Sequence, residues 1–169
     1  DNEKFQFATF SDELNMFQSK RGMGQLASMI DHLNTLKVNG TTDFSKTLAS
    51  YKKMVGSRSL IIIISDMLFN LDEIKDSLIG LGRHDIKLIQ VLDKQEKDLK
   101  LEGDFKLKDS ETSDEIRTFI SPRLVKNYTN MLENHTSKIK EICNGLGIKF
   151  YQVTSDRPIF DTFYEVLKT

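Results

Sequence analysis

The stretch Ser59-Leu60-Ile61-Ile62-Ile63-Ile64-Ser65-Asp66-Met67 constrains the fold more than any other part of the chain. Five consecutive aliphatic side chains with no alternation leave no wet face, so the run predicts a strand buried on both sides at the centre of a parallel sheet. It stops at a hydroxyl and a carboxylate, Ser65-Asp66. In open α/β sheets ligands bind at the C-terminal ends of the strands. An acidic residue there is either a metal- or phosphate-site carboxylate or the N-cap of the following helix.

The flanking sequence alternates strand and helix signals. Lys4 to Phe10 and Glu13 to Ser19 read as two strands joined by a tight turn at Ser11-Asp12. Met23, Leu26, Ala27, Ile30, Leu33 and Leu36 trace one face of a helix over Met23–Lys37, followed by a turn at Asn39-Gly40-Thr41-Thr42. A second helix runs from Asp43 to Val55, with Phe44, Leu48, Tyr51 and Val55 on its face. Asn70 caps a helix that reaches Leu81, with Gly82 closing it. Ile86 to Leu92 is a further apolar strand, interrupted by Gln90.

After a charged passage from Asp93 to Leu101, two short segments, Asp104 to Lys108 and Glu115 to Ile120, predict an inserted β-hairpin. Pro122 opens the longest helix, which runs to about Asn144 and ends before Gly145 and Gly147. Ile148 to Val153 is the last strand, and Pro158 starts a terminal helix. This order predicts a single α/β domain over 1–169, with a Rossmann-like, doubly wound and mostly parallel sheet.

Composition narrows the function. The 169 residues are enough to bury a core, and 24 basic against 25 acidic residues leave a formal charge of -1. That balance gives no electrostatic argument for nucleic acid or for an anionic membrane surface. The lone Cys143 excludes an intramolecular disulfide framework and a cysteine zinc cluster. No apolar run reaches membrane-spanning length.

Most chemistry-bearing residues have a bland reading. His32, His84 and His135 are far apart and lack ligand spacing, so they read as surface histidines. Cys143 lies near Ile139, Ile142 and Leu146 and reads as a core thiol, with no basic neighbour to lower its pKa. Gly22-Met23-Gly24 lacks the Lys-Ser/Thr or third glycine of a phosphate loop.

Two features stand out: Ser65-Asp66 at the end of the Ile run, and Gly40-Thr41-Thr42-Asp43 entering the second helix. Both are expected as loops on one sheet edge. A hard divalent cation takes carboxylates, hydroxyls and waters in octahedral geometry, and Thr42, Ser65 and Asp66 supply part of such a shell. Capping of the second helix by Thr42 or Asp43, and amide bonding by Asp66, explain the same residues without a metal.

Further residues complete a pattern: Phe10-Ser11-Asp12, Gly40-Thr41-Thr42-Asp43-Phe44, Ile64-Ser65-Asp66, Val91-Leu92-Asp93 with Glu96, and Gly103-Asp104. Asp109-Ser110-Glu111-Thr112, Tyr128 and Thr154-Ser155-Asp156-Arg157-Pro158 extend it. Over nearly its whole length the chain resembles the von Willebrand factor A-like (vWA) domains, and more closely the bacterial and archaeal MoxR-associated family known as domain of unknown function 58. The inserted hairpin and the long helix after it are the more specific marks.

The resemblance implies a Mg2+ adhesion site. In that site an Asp-x-Ser-x-Ser motif after the first strand, a Thr in a second loop and an Asp in a third hold the ion, leaving one position open for a partner's carboxylate. Carried onto this chain, the Thr is Thr42 and the third-loop Asp is Asp66, with Ser65 beside it. The implied role is non-catalytic: a protein-interaction adaptor working with a MoxR-type AAA+ ATPase in assembling or activating protein complexes.

No Asp-x-Ser-x-Ser occurs in the sequence. Aligned with the family, Asp1 falls just before the second strand, so the expectation is an N-terminally truncated fragment lacking the first central strand and its metal loop. The expected sheet then carries one antiparallel edge hairpin and the small inserted hairpin. The expected localisation is a cytoplasmic domain of a protein anchored upstream in a membrane.

Mg2+ binding is expected to be weak or lost in this chain. The neighbours of the absent strand are expected to pair directly, or the chain to form a homo-oligomer or strand swap. No nucleic-acid partner and no membrane contact by this segment are expected. The rival reading is a Mg2+-dependent phosphohydrolase or phosphotransfer domain using Asp66, which would need a nucleophile or base beside the metal cradle.

Overall fold

The computed structural model describes residues 6–11, 13–17, 30–35, 42–97, 99, 101–108 and 115–168. Most of the helix expected over Met23–Lys37 lies outside these residues, as do Gly22-Met23-Gly24 and Asp109-Ser110-Glu111-Thr112. Of that helix, residues 30–35 are described and are helical (α1).

The elements follow the sequence pattern. Strands β1 (Ala8–Phe10) and β2 (Leu14–Met16) form a hairpin, and α2 spans Phe44–Met54. Strand β3 (Leu60–Ser65), α3 (Leu71–Gly80) and β4 (Asp85–Leu92) form a strand–helix–strand unit. A short α4 (Lys94–Lys97) precedes the inserted hairpin of β5 (Gly103–Lys108) and β6 (Glu115–Ile120). The long α5 (Pro122–Gly145), β7 (Lys149–Thr154) and α6 (Ile159–Lys168) complete the chain. The architecture is mixed α/β: a parallel sheet in the order β3-β4-β7 and two separate antiparallel hairpins.

Local chemistry sets the helix boundaries. Asp43, Asn70 and Ser121 cap α2, α3 and α5, accepting from the amides of Lys46, Asp72 and Leu124. Each supplies an acceptor to an amide that has no partner within its helix. At the other end of α5, the Ile148 amide donates to Cys143 O at 2.8 Å and the Gly147 amide to Asn144 O at 3.2 Å. Gly147 sits at φ +69, a left-handed conformation that costs glycine little. This Schellman turn reverses the chain into β7.

Side-chain parity divides the sheet into two unequal faces. On the first, Ile61 and Ile63 of β3, Ile86 and Leu88 of β4 and Phe150 of β7 meet Phe44, Leu48, Ile74, Leu78, Ile139 and Cys143 from α2, α3 and α5. On the second, the cluster is small: Val166 of α6 packs on Ile89 and Val153. Each aliphatic side chain fully buried this way stabilises by about 1.5–3 kcal/mol.

The Ile run therefore departs from its expected position. Among the described residues β3 is an edge strand, and only its first-face residues are buried. Leu60 and Ile64, on the second face, are each 50% exposed. The doubly buried strand is β4, whose residues from Ile86 to Gln90 are all buried. Among the described residues, α2, α3 and α5 pack on the first face, and on the second Val166 of α6 meets Ile89 of β4 and Val153 of β7.

The β1–β2 hairpin also departs from expectation. It is a two-stranded sheet of its own instead of an antiparallel edge of the parallel sheet, and it does not pair with β3. Packing holds it in place: Phe10 lies against the main core with its ring 6.2 Å from Phe44. Ser11 O accepts from the Asp43 amide at 3.2 Å and from the Thr47 hydroxyl at 3.4 Å.

Candidate functional site

All three sheet strands run parallel, so their C-terminal ends share one edge. The loops leaving β3, β4 and β7 there carry Ser65-Asp66, Asp93-Lys94 and Ser155-Asp156. Thr42 sits two residues ahead of Phe44, and Phe44 stacks on Phe69 with centroids 4.8 Å apart at 13°. That stack sets the first residue of α2 against the segment that joins β3 to α3.

The Asp66 loop is tightly bonded to itself. Ser65 Oγ accepts from the Met67 amide at 3.1 Å and donates to Asp66 Oδ1 at 3.3 Å. Asp66 Oδ1 also accepts from the Leu68 amide at 3.2 Å. Met67 is fully buried at φ +58, a left-handed conformation that costs a non-glycine residue roughly 1–2 kcal/mol. Strain of this size persists only where the surroundings fix it.

Those surroundings are polar and buried. Gln90, on the first face of β4 and with no exposed surface, donates from Nε2 to Asp66 O at 2.9 Å. Its Oε1 accepts from Thr136 Oγ1 of α5 at 3.1 Å. One residue earlier in α5, His135 Nε2 lies 2.8 Å from Met67 O. A carbonyl only accepts, so the imidazole carries a proton on Nε2. Both carbonyls flanking the left-handed turn are held, one from β4 and one from α5.

The β4 and β7 loops are joined by a second network. Asp93 accepts from the Gln95 amide at 2.7 Å and from Ser155 Oγ at 3.0 Å, and its own amide donates to Glu96 Oε2 at 3.2 Å. Asp93 thus caps the first turn of α4 through the Gln95 amide, while Glu96 reaches back to the Asp93 amide. Lys94 reaches Asp156 at 3.0 Å. Bonds from the Thr154 hydroxyl and from Lys94 hold the Asp156 carboxyl below its ordinary range. Burial, and then the Glu96 carboxylate, raise the Tyr128 phenol.

These bonds bear on what the edge could hold. Octahedral Mg2+ needs about six oxygen ligands, usually with one or two protein carboxylates. Here Asp66 Oδ1 and Ser65 Oγ already serve the amides of their own loop, and Asp93, Glu96 and Asp156 are bound within the β4–β7 network. Among the described residues no group of three His, Cys, Asp or Glu converges as a metal site would require. Thr42, Ser65 and Asp66 alone do not make a complete Mg2+ shell.

Sequence reasoning did not single out the Gln90–Thr136–His135 network. Its one visible signal was Gln90, a polar residue inside an apolar strand. The histidines also sit differently from expectation: His84 is buried and His32 and His135 are half-buried. Burial and then Arg83 push the His84 imidazole below its usual range. Cys143 is fully buried, as expected of a core thiol, and burial pushes it up to about 11.

The family model described as protein of unknown function DUF58 matches residues 1–138. The chain belongs to that family. The matched residues of this DUF58 chain take in the Asp66 loop, Gln90, the Asp93 loop, His135 and Thr136, while β7 and α6 lie beyond them. No curated protein matches the chain. Among solved structures, an aerotolerance-related membrane protein from Bacteroides fragilis NCTC 9343, carrying multiple mutations to serines, aligns with it. The alignment covers 87% of the DUF58 chain and 80% of that chain, at 12% identity and a TM-score of 0.40. Among the described residues of the DUF58 chain, no helix is long and apolar enough to cross a membrane.

Proposed function

We propose that this chain is a non-catalytic protein-interaction domain of vWA type, working with a MoxR-type ATPase in assembling or activating protein complexes. The observation that carries the reading is the edge of the sheet. Asp66 presents an exposed carboxylate on a loop whose two carbonyls are fixed by Gln90 and His135. A rigid, solvent-facing carboxylate suits recognition, because little conformational freedom is lost when a partner engages it. The neighbouring carboxylates Asp93, Glu96 and Asp156 are bonded into caps and ion pairs, which favours a fixed surface over acid–base chemistry.

In this reading the domain is a cytoplasmic part of a larger protein anchored upstream in a membrane. Mg2+ binds it weakly, because Thr42 and Asp66 leave most of the shell to water. Calorimetric titration is expected to show millimolar or weaker Mg2+ binding, and tight stoichiometric binding would overturn that part.

Surface-immobilised domain titrated with a purified MoxR-type ATPase, with and without nucleotide, tests the main reading. Saturable binding weakened by Asp66→Ala supports it, and no binding in any nucleotide state refutes the ATPase partnership. Mg2+-dependent hydrolysis of p-nitrophenyl phosphate that Asp66→Ala abolishes would replace the reading with a phosphohydrolase.

A further inference from the structure

A histidine is built into the N-terminal edge of the parallel sheet, opposite the loops that carry Asp66, Asp93 and Asp156. His84 ends the turn between α3 and β4 and is buried. The turn is fixed on both sides. The His84 amide donates to Leu81 O at 2.9 Å, and the Asp85 amide ties β4 to Ser59 O at 3.0 Å. Arg83, beside His84, reaches two ways: Nε donates to His84 Nε2 at 3.0 Å, and Nη2 donates to Val55 O.

Val55 is the C-cap of α2, and its carbonyl is one of those that a helix end leaves without an intrahelical partner. A guanidinium suits that place, because the carbonyl end of a helix carries partial negative charge. The two bonds run as a chain from the α3–β4 turn to the end of α2, and its titratable link is His84. A guanidinium only donates, so Nε2 accepts, and the imidazole is neutral with its proton on Nδ1. Protonating Nε2 would set one N–H against another and place a second cation beside Arg83.

Among the described residues no carboxylate offsets that charge. His84 Nδ1 is buried and, among the same residues, bonds to nothing. The ionisable groups on the neighbouring segments are Tyr51, Lys52 and Lys53 of α2, Arg58 ahead of β3, Asp85 of β4, and Glu141 and Cys143 of α5. Burial favours the protonated forms of Tyr51 and Cys143, and the other five are exposed. Arg83, a like charge, is the group that acts on the imidazole.

We propose that His84 is an acid-sensitive latch on α2. Neutral, it accepts from Arg83 and so holds the end of α2 to the α3–β4 turn. Protonated, it turns Arg83 away and frees the Val55 carbonyl and the last turn of α2. The β3–β4 pairing keeps the turn in place, so the end of α2 is what moves. Because burial and then Arg83 lower the folded value, the unfolded imidazole takes its proton first. The stabilising contribution is complete above about pH 6.5 and is lost as pH falls toward the lower folded value.

Hydrogen exchange on the full chain at about pH 7.5 and about pH 5, corrected for intrinsic rates, tests it. Opening of the Val55 amide, which bonds to Tyr51 O, should rise roughly three- to tenfold on acidification while the amides of β4 stay protected. His84→Gln offers Arg83 an oxygen acceptor that does not titrate, and it should abolish the rise. Arg83→Met should leave the Val55 amide fast at both pH values. Should a variant fail to fold, nitrogen NMR of the unmodified imidazole still decides. It should show Nδ1 protonated and Nε2 bare at neutral pH, with Nε2 gaining its proton in step with the exchange. Exchange indifferent to pH, an equal rise in β4, a rise that survives His84→Gln, or an Nε2-protonated imidazole at neutral pH each overturns the proposal.

Discussion

Gln90 of β4 donates to the main-chain oxygen of Asp66 at 2.9 Å with no exposure to solvent of its own. The bond crosses from the middle strand to the loop ending the Ile run, and Thr136 fixes its other end from α5. A buried amide side chain in a low-dielectric core makes such a bond costly to lose. The orientation of the loop that carries Asp66 is thus decided from beneath the loop.

Replacing Gln90 by Leu should keep the side-chain volume but leave Asp66 O and the Thr136 hydroxyl without that partner. We expect a loss of about 1–3 kcal/mol in urea unfolding. Thr136→Val combined with Gln90→Leu should cost less than the sum of the two single changes, because both remove one shared bond. Strict additivity in the cycle would show that the network is not coupled.

Met67 sets two opposing effects against each other. Met67→Gly relieves roughly 1–2 kcal/mol of left-handed backbone strain. It also empties a fully buried side-chain site, which costs about 2–5 kcal/mol. Packing should win, so the variant should unfold at lower denaturant than the parent. A stabilised Met67→Gly would show that the core around Met67 closes over the void.

Lys87 is a buried cation on the second face of β4, donating from Nζ to Val166 O near the end of α6 at 2.6 Å. The carbonyl end of a helix carries partial negative charge, which favours an ammonium there. Lys87→Met should preserve the fold while releasing that end of α6. Hydrogen exchange of the amides in the last turn of α6 should then speed up while those of β4 stay protected. Unchanged exchange in α6 would mean that Val166 packing alone holds the helix.

The Cys143 thiol gives a pH prediction. Its pKa rises from 9.0 to about 11 because burial disfavours the thiolate. The unfolded chain therefore ionises at lower pH than the folded one. The resulting contribution to stability is complete below about pH 9 and is lost as pH climbs toward about 11. Cys143→Ala should flatten that part of the stability profile. At pH 8 the native thiol should resist alkylation that the urea-unfolded chain undergoes at once, and equal rates would contradict its burial.

Much of the fold was legible because it depends on local physics. The strands of the sheet, the caps Asp43 and Asn70, Pro122 opening α5, the glycines ending it, and the inserted hairpin all follow from period, capping and turn chemistry. The Ile run is a strand as read, but among the described residues it lies at the sheet's edge, with Leu60 and Ile64 exposed. An unbroken apolar run reports that side chains could be buried on two faces. It does not report whether helices exist to bury them, and among the described residues the second-face cluster centres on α6 over β4 and β7, leaving Leu60 and Ile64 of β3 exposed.

The site divides along the same line. Asp66 was visible at a strand end, and Gln90 stood out as a polar residue in an apolar strand. Its partners Thr136 in α5 and the Asp66 carbonyl are 46 and 24 residues away in the chain. The sequence by itself determined the α/β alternation and the residues able to cap, turn and pack, because those interactions span one or two turns of chain. Only the tertiary structure decided that β4 lies between β3 and β7 and that Gln90 and His135 hold the Asp66 loop. Those outcomes depend on which distant elements meet, and burial rewards that meeting without encoding it locally.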